Sequence, residues 1–245
     1  MARFSREQRL LVDADLATGV PVALERAQAH YLLNVLRMGD GDPVLAFNGR
    51  DGEWRCAVVP EGRKSAYLVP RERTREQSPV PDLHLLIAPL KRERLDYTIQ
   101  KAVEMGAGTI RPVITRHTQG RFNVERARAN AREAAEQCGI LALPGIREPE
   151  PLGRVLDGWD DHRRLVFCDE DERTQSPLPA LSGLARGEPL AVLIGPEGGF
   201  ADDERARLRG MERVLAIPLG PRVLRADTAL VAALAVVQAL AGDWA

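Results

Sequence analysis

The chain has 245 residues, 44% of them hydrophobic, enough for one large core or two smaller ones. Its 34 lysines and arginines against 35 aspartates and glutamates leave a net charge of −1. That excludes a uniformly basic nucleic-acid binder, so any RNA site must be a local patch. No run approaches the ~18 apolar residues that span a membrane, and Met1–Gln8 carries no apolar leader. Cys56, Cys138 and Cys168 have neither metal nor disulfide spacing. The expectation is a cytoplasmic protein with free thiols and no metal.

Residues 1–72 read as a small β-rich unit of the PUA-like or OB-like barrel kind, which commonly carries RNA. A helix is expected over Ala27–Met38, ended by Gly39. Strands are expected at Val44–Phe47, Trp54–Val59 and Ala66–Val69, with strong turn chemistry in Asn48-Gly49-Arg50-Asp51-Gly52. The proline- and charge-rich stretch 73–82 reads as a linker. Residues 83–245 then alternate strand and helix, which means a mostly parallel α/β sheet. Leu83–Ala88, Ile110–Ile114 and Leu165–Cys168 are strands, Pro112 hinting at an edge or an end. Arg92–Met105 and Val124–Cys138 are helices, and His84 reads as a core residue.

Two glycine-bearing turns stand near the C-terminus. Leu190–Ile194 leads into Gly195-Pro196-Glu197-Gly198-Gly199-Phe200, and Val214–Ile217 leads into Pro218-Leu219-Gly220-Pro221-Arg222-Val223-Leu224-Arg225-Ala226-Asp227-Thr228. Strands that stop at glycine leave backbone groups within reach of a ligand. Two such turns at neighbouring strand ends would make a crevice, the usual ligand position in open α/β sheets. Neither turn is a phosphate loop. Ordinary strand–helix connections that need glycine for geometry are the alternative.

This pair of turns resembles the signature of the ribosomal small-subunit RNA methyltransferase E family, SPOUT-class enzymes that methylate N3 of a uridine in 16S rRNA. His30–Arg37, Lys91, Gln100–Gly106, Glu136–Gly139 and Pro144 resemble further family segments in order. The chain departs from the family at Asp227, where a glutamate is usual, and at Ile140 and Ala142, where arginines are usual. The resemblance implies a trefoil-knotted parallel sheet, S-adenosylmethionine as cofactor, 16S rRNA within the small subunit as partner, and a homodimer. It implies that the backbone around Leu193, Gly195, Gly198, Ile217, Leu219 and Gly220 grips adenine and ribose. Leu224 would cover the adenine and Thr228 would hydrogen-bond the cofactor; Glu197 could accept from the ribose or substrate, or equally tie the turn to its own backbone.

Uridine N3 carries a proton, so the site needs an unstacked base and donors for charge on the neighbouring carbonyl oxygens. Arg222 and Arg225 are the candidates for that role, with surface ion pairing as the alternative; no side chain stands out as general base. Asp227 is expected to cap the last helix, with proton transfer as the rival role. His30 and Arg37, seven apart on the expected helix, can share a face, which the resemblance implies meets RNA; a polar surface or capping role for His30 is the alternative. Lys91, Arg92 and Arg94 form one cluster after a strand, and Arg116, His117, Gln119 and Arg121 form another; both could meet phosphates. The last helix, Ala229–Ala241, is apolar almost all round, which calls for burial on more than one side and suggests a dimer. A non-catalytic rRNA-binding or assembly factor of the same fold is the competing reading, and a nucleotide hydrolase or oxidoreductase a weaker one.

Overall fold

The structure, a computed structural model, describes residues 7–62, 64–170 and 176–244. The chain packs into two compact units. The first takes the chain up to Pro79 together with Ala135–Leu143, and the second takes Val80–Ala134 and Pro144 onward.

The first unit runs β1 (Arg9–Leu11), β2 (Val22–Ala23), α1 (Arg26–His30), β3 (Pro43–Phe47), β4 (Glu53–Glu61) and β5 (Ser65–Arg75). These make a curled five-stranded sheet in the order β1-β3-β4-β5-β2, antiparallel except for β1 against β3. Bulges between Glu53 and Trp54 and between Arg55 and Cys56 bend the long β4–β5 ribbon. Leu10, Leu32, Val44, Val58 and Leu68 fill its interior. Three details differ from the sequence reading. Strand β5 runs on to Arg75, into the stretch taken for a linker. The end of the long charged helix belongs to this unit: Glu136 accepts from the Leu11 amide at 2.8 Å, and Arg75 donates to the Gly139 carbonyl at 2.9 Å. A fragment starting near Asp82 would therefore strip Ala135–Leu143 of its packing. The third difference is the Ala27–Met38 helix. It is α-helical only as α1, continues as a π-turn over Tyr31–Val35, and ends with Arg37 at φ +58°. The wider π-turn and the left-handed residue break the 3.6 period, so the seven-residue spacing does not put His30 and Arg37 on one helical face. Both side chains are exposed.

The second unit runs β6 (Leu83–Ile87), α2 (Arg92–Glu104), β7 (Thr109–Ile114), α3 (Val124–Cys138), β8 (Gly145–Ile146), β9 (Glu150–Pro151), α4 (Leu152–Asp157), β10 (Arg164–Cys168), α5 (Leu178–Leu181), β11 (Leu190–Ile194), α6 (Asp202–Arg209), β12 (Val214–Ile217) and α7 (Ala226–Ala241). Its parallel sheet has the order β12-β10-β11-β6-β7-β8, with β9 also on β7. Pro112 is not on an edge. Strand β8 pairs with Thr109 and Ile110 while β9 pairs with Val113 and Ile114. The proline falls in the gap between two short partners, where no N–H is needed. Strands β11 and β12 are not neighbours either: β10 lies between them. From the β12 edge the chain returns across the sheet to lay α7 against α2 and β11. Gln238, buried in the apolar stretch of α7 after Thr228, locks this return by donating to the Met105 carbonyl at 2.7 Å and accepting from Asp243 N at 3.0 Å. No helix among the described residues is long and apolar enough to cross a membrane.

His84 on β6 is half-buried rather than core. Burial, then the charge of Arg163, holds its imidazole down at about 4, against an ordinary value of 6.5, with Asp82 opposing and Arg111 and Arg147 adding to the fall. The folded state therefore refuses a proton that the unfolded chain accepts. Stability from this group should be whole above pH 6.5 and decline as pH falls toward about 4. Urea unfolding of wild type and His84→Gln across that window checks this: the difference between them should shrink or reverse on the acid side. Parallel curves would show that His84 does not carry the dependence.

Candidate active site

The C-terminal ends of β10, β11 and β12 open into a cavity of about 830 Å³. The first turn closes one wall. The Gly199 amide donates back to the Pro196 carbonyl at 3.0 Å, and Phe200 packs edge-on against Phe167 with ring centroids 5.0 Å apart. A Cβ on Gly195 would lie 2.5 Å from the Phe200 ring, so glycine there serves that packing. Asp202, Asp203 and Glu204 occupy the first turn of α6. These carboxylates would repel a phosphate from that helix end, consistent with the missing phosphate-loop motif.

The second turn closes the opposite wall. Gly220 has φ +93° and lines the cavity, and a Cβ there would meet no atom within 4 Å. Backbone groups of Leu219, Gly220 and Leu224 make no hydrogen bond among the described residues. The strand-end carbonyls, by contrast, are already used: Ile194 O accepts from Ala88 and Ile217 O accepts from Asp169. The second turn thus offers free backbone groups, while these two strand-end carbonyls are taken.

Of the residues singled out from sequence, Gly195, Glu197, Ile217, Leu219, Gly220, Arg222, Leu224, Arg225 and Lys91 line this cavity. Three expected cofactor residues do not. Leu193 is fully buried in the β11 core, one residue before the strand end that opens into the cavity. Gly198 faces outward, where an added Cβ would stand 3.4 Å from the Cβ of His117. Thr228 is exposed on α7, its hydroxyl 3.4 Å from Asp227 Oδ1. Arg116 is not at the cavity either; it pairs with Asp203 at 2.5 Å beside the first turn.

Residues 76–238 match the RNA methyltransferase domain family, and residues 24–71 match the RNA methyltransferase PUA domain family. A ribosomal RNA small subunit methyltransferase E of Rickettsia conorii is 29% identical over 234 residues, 95% of each chain. Its counterpart in Synechocystis is 30% identical, covering 97% of this chain and 79% of that one. The chain belongs to the ribosomal RNA small subunit methyltransferase E family. A methyltransferase of Legionella pneumophila, solved with bound S-adenosylmethionine, superposes with a TM-score of 0.84 at 28% identity over 96% of this chain and 98% of that one. The fold is accordingly a SPOUT-type parallel sheet preceded by a PUA-like curled sheet.

Within this methyltransferase E site, the sequence reading missed the role of one residue, Arg94, and the presence of another group. Arg94, on the first turn of α2, forms an ion pair with Glu197 of the first turn and lies 4.0 Å from Asp227 of the second. It ties both turns to the helix after β6. Asp227 does not cap α7: it is the second helical residue, and its Oδ1 accepts from the adjacent Thr228 amide at 2.8 Å. The other group is Asp169, its carboxylate fully buried at the end of β10 and paired with Arg205 at 3.3 Å and Arg209 at 2.6 Å. The Asp that ends the apolar run 165–168 was its only sequence signal. Burial pushes the neighbouring Cys168 thiol up to about 12, with the Asp169 charge adding to it, so the thiol is no nucleophile. Ile140 and Ala142 leave the 139–142 loop without its usual arginines. Arg75 and Gln77 anchor it instead, through the carbonyls of Gly139 and Leu141.

Proposed function

We propose that this chain methylates N3 of a uridine in 16S rRNA with S-adenosylmethionine as donor, in the cytoplasm and as a homodimer. The observation that carries the reading is the cavity, lined by the free backbone of the second turn and by two arginines. Its volume lies within the range of small-molecule sites. Ile194, Ile217, Leu219 and Leu224 offer an apolar bed for an adenine, and the Leu219 and Gly220 backbone offers hydrogen bonds to its edge. Those residues fit the cofactor. Bound there, it would supply a sulfonium methyl group, whose carbon–sulfur bond breaks as the N3–carbon bond forms.

The chain's own residues do the rest. Arg222 and Arg225 stand at the cavity and make no ion pair among the described residues. They are free to hold the negative charge that builds on the uracil carbonyl oxygens when N3 gives up its proton. Arg94 keeps Glu197 and Asp227 in place and spares the arginines of the second turn from pairing with them. Lys91 at the cavity, with the exposed His30 and Arg37 of the first unit, is assigned to the RNA; Arg116 reaches it only by giving up Asp203. The trefoil knot implied by the resemblance is supported by the return of the chain from β12 to α7.

Mass spectrometry of 16S rRNA nucleosides from cells lacking the gene, before and after treatment of their small subunits with the protein, tests the reading. N3-methyluridine should appear only with protein and S-adenosylmethionine together. An assembly factor would bind the subunit and leave the nucleosides unchanged. Arg222→Ala and Arg225→Ala should each lower kcat by about 10²–10³, the usual effect of losing a charge-stabilising donor. Unchanged kcat in both would remove them from the chemistry.

A further inference from the structure

A second cavity, of about 540 Å³, lies in the same unit at the start of α2 and α3. Lys91 and Arg92 line both cavities, so the two share a wall. Its floor is apolar and buried, formed by Leu95, Ile99 and Ala127. Its walls carry amides. The Gln119 side chain and Nδ2 of Asn123 have no hydrogen-bond partner among the described residues, while Oδ1 of Asn123 is held by the Arg126 amide at 2.8 Å. The only carboxylate lining it among the described residues is Asp96, neutralised by Arg126 at 2.7 Å and hydrogen-bonded by Asn130 at 2.8 Å. Arg126 then Asn130 hold its carboxyl below the usual range against the pull of burial. Arg121 stands at the rim without an ion pair among the described residues. The balance at the rim is positive.

We infer that this second cavity is a subsite for a nucleotide next to the methylated one in the single-stranded rRNA. The inference rests on the methyltransferase reading above. An apolar floor takes the face of a splayed base, free amides read its edge, and cations hold the connecting phosphates, which is how single-stranded RNA is read. The wall shared through Lys91 and Arg92 sets the two cavities side by side. A phosphate between adjacent nucleotides would lie over that wall.

Two variants test it on the full chain. Gln119 is exposed on the loop before α3, so Gln119→Trp can plug the mouth without disturbing the core. Arg121→Glu reverses the rim charge. Filter retention of small-subunit rRNA measures binding directly, whether or not methyl transfer occurs. Each variant should weaken rRNA binding more than tenfold, with S-adenosylmethionine affinity and melting temperature unchanged. Normal rRNA binding by Gln119→Trp overturns the inference, even if Arg121→Glu binds poorly, because the effect would then be surface charge alone. A change of oligomeric state in Gln119→Trp overturns it too, assigning the cavity to a contact between copies. A wild type that binds rRNA but forms no methyluridine sinks the methyltransferase reading and, with it, the placement beside a methylated nucleotide, whatever the binding losses of the two variants.

Discussion

Gly220→Val should weaken S-adenosylmethionine binding more than tenfold, about 1.4 kcal/mol or more. At φ +93° a valine is strained, and its side chain would project into open space at the cavity that the cofactor is proposed to fill. Strain alone costs about 1–3 kcal/mol of stability, so a control must separate the two effects. Gly187 supplies it. Its φ is +76°, an added Cβ again meets nothing within 4 Å, and it lies away from the cavity in the loop before β11. Gly187→Val should lower the melting temperature about as much and leave cofactor affinity alone. The other two glycines should separate in the opposite sense. Gly195→Ala drives a methyl to 2.5 Å from the Phe200 ring and should cost stability first. Gly198→Ala, 3.4 Å from the His117 Cβ, should change little. Calorimetric titration and thermal unfolding of all four decide the matter. Equal losses of affinity in Gly220→Val and Gly187→Val would mean that backbone strain, not occupation of the cavity, is being measured.

That four-way split was not legible in the sequence, where all the turn glycines look alike. Legible features were those carried by local pattern. The apolar runs of β6, β10 and β11 and the stripes of α2 and α3 announce themselves within a dozen residues, and α3 has the bounds its pattern predicts. Features carried by distant contacts were hidden. Nothing near Leu165–Cys168 says that β10 separates β11 from β12, yet that placement puts Asp169 beside the cavity. The Glu136–Leu11 hydrogen bond that draws the end of α3 into the first unit spans 125 positions. The π-turn at Tyr31–Val35 sits in a segment with ordinary helical periodicity. Arg94 was visible as one cation in a cluster, but its link to Glu197, 103 residues on, belongs to the fold alone.

Val236→Glu should turn a dimeric wild type into a monomer, whereas Leu234→Glu should fail to fold. The reasoning starts from the two sides of α7. Leu230, Leu234 and Val237 are fully buried within their own chain, so a carboxylate there has no water and no partner. The opposite side is also apolar: Ala232, Ala235, Val236 and Ala239 follow helical spacing, with only partial cover in the single chain. Leu240 and Trp244 add exposed apolar surface at 38% and 56%. A second copy is the partner proposed for that side. Burying one new carboxylate from each copy costs about 1–3 kcal/mol or more apiece, so dimerisation should weaken about a hundredfold or more. Ala229, two turns before Val236 on the same helix, lines the active-site cavity, and the helix begins directly after Arg225. Loss of the partner should therefore also loosen the second turn and lower cofactor affinity. Light scattering at micromolar concentration, paired with S-adenosylmethionine titration, reads both effects. A monomeric wild type ends the dimer argument. A monomeric Val236→Glu that binds cofactor normally keeps the dimer and removes the coupling between α7 and the site.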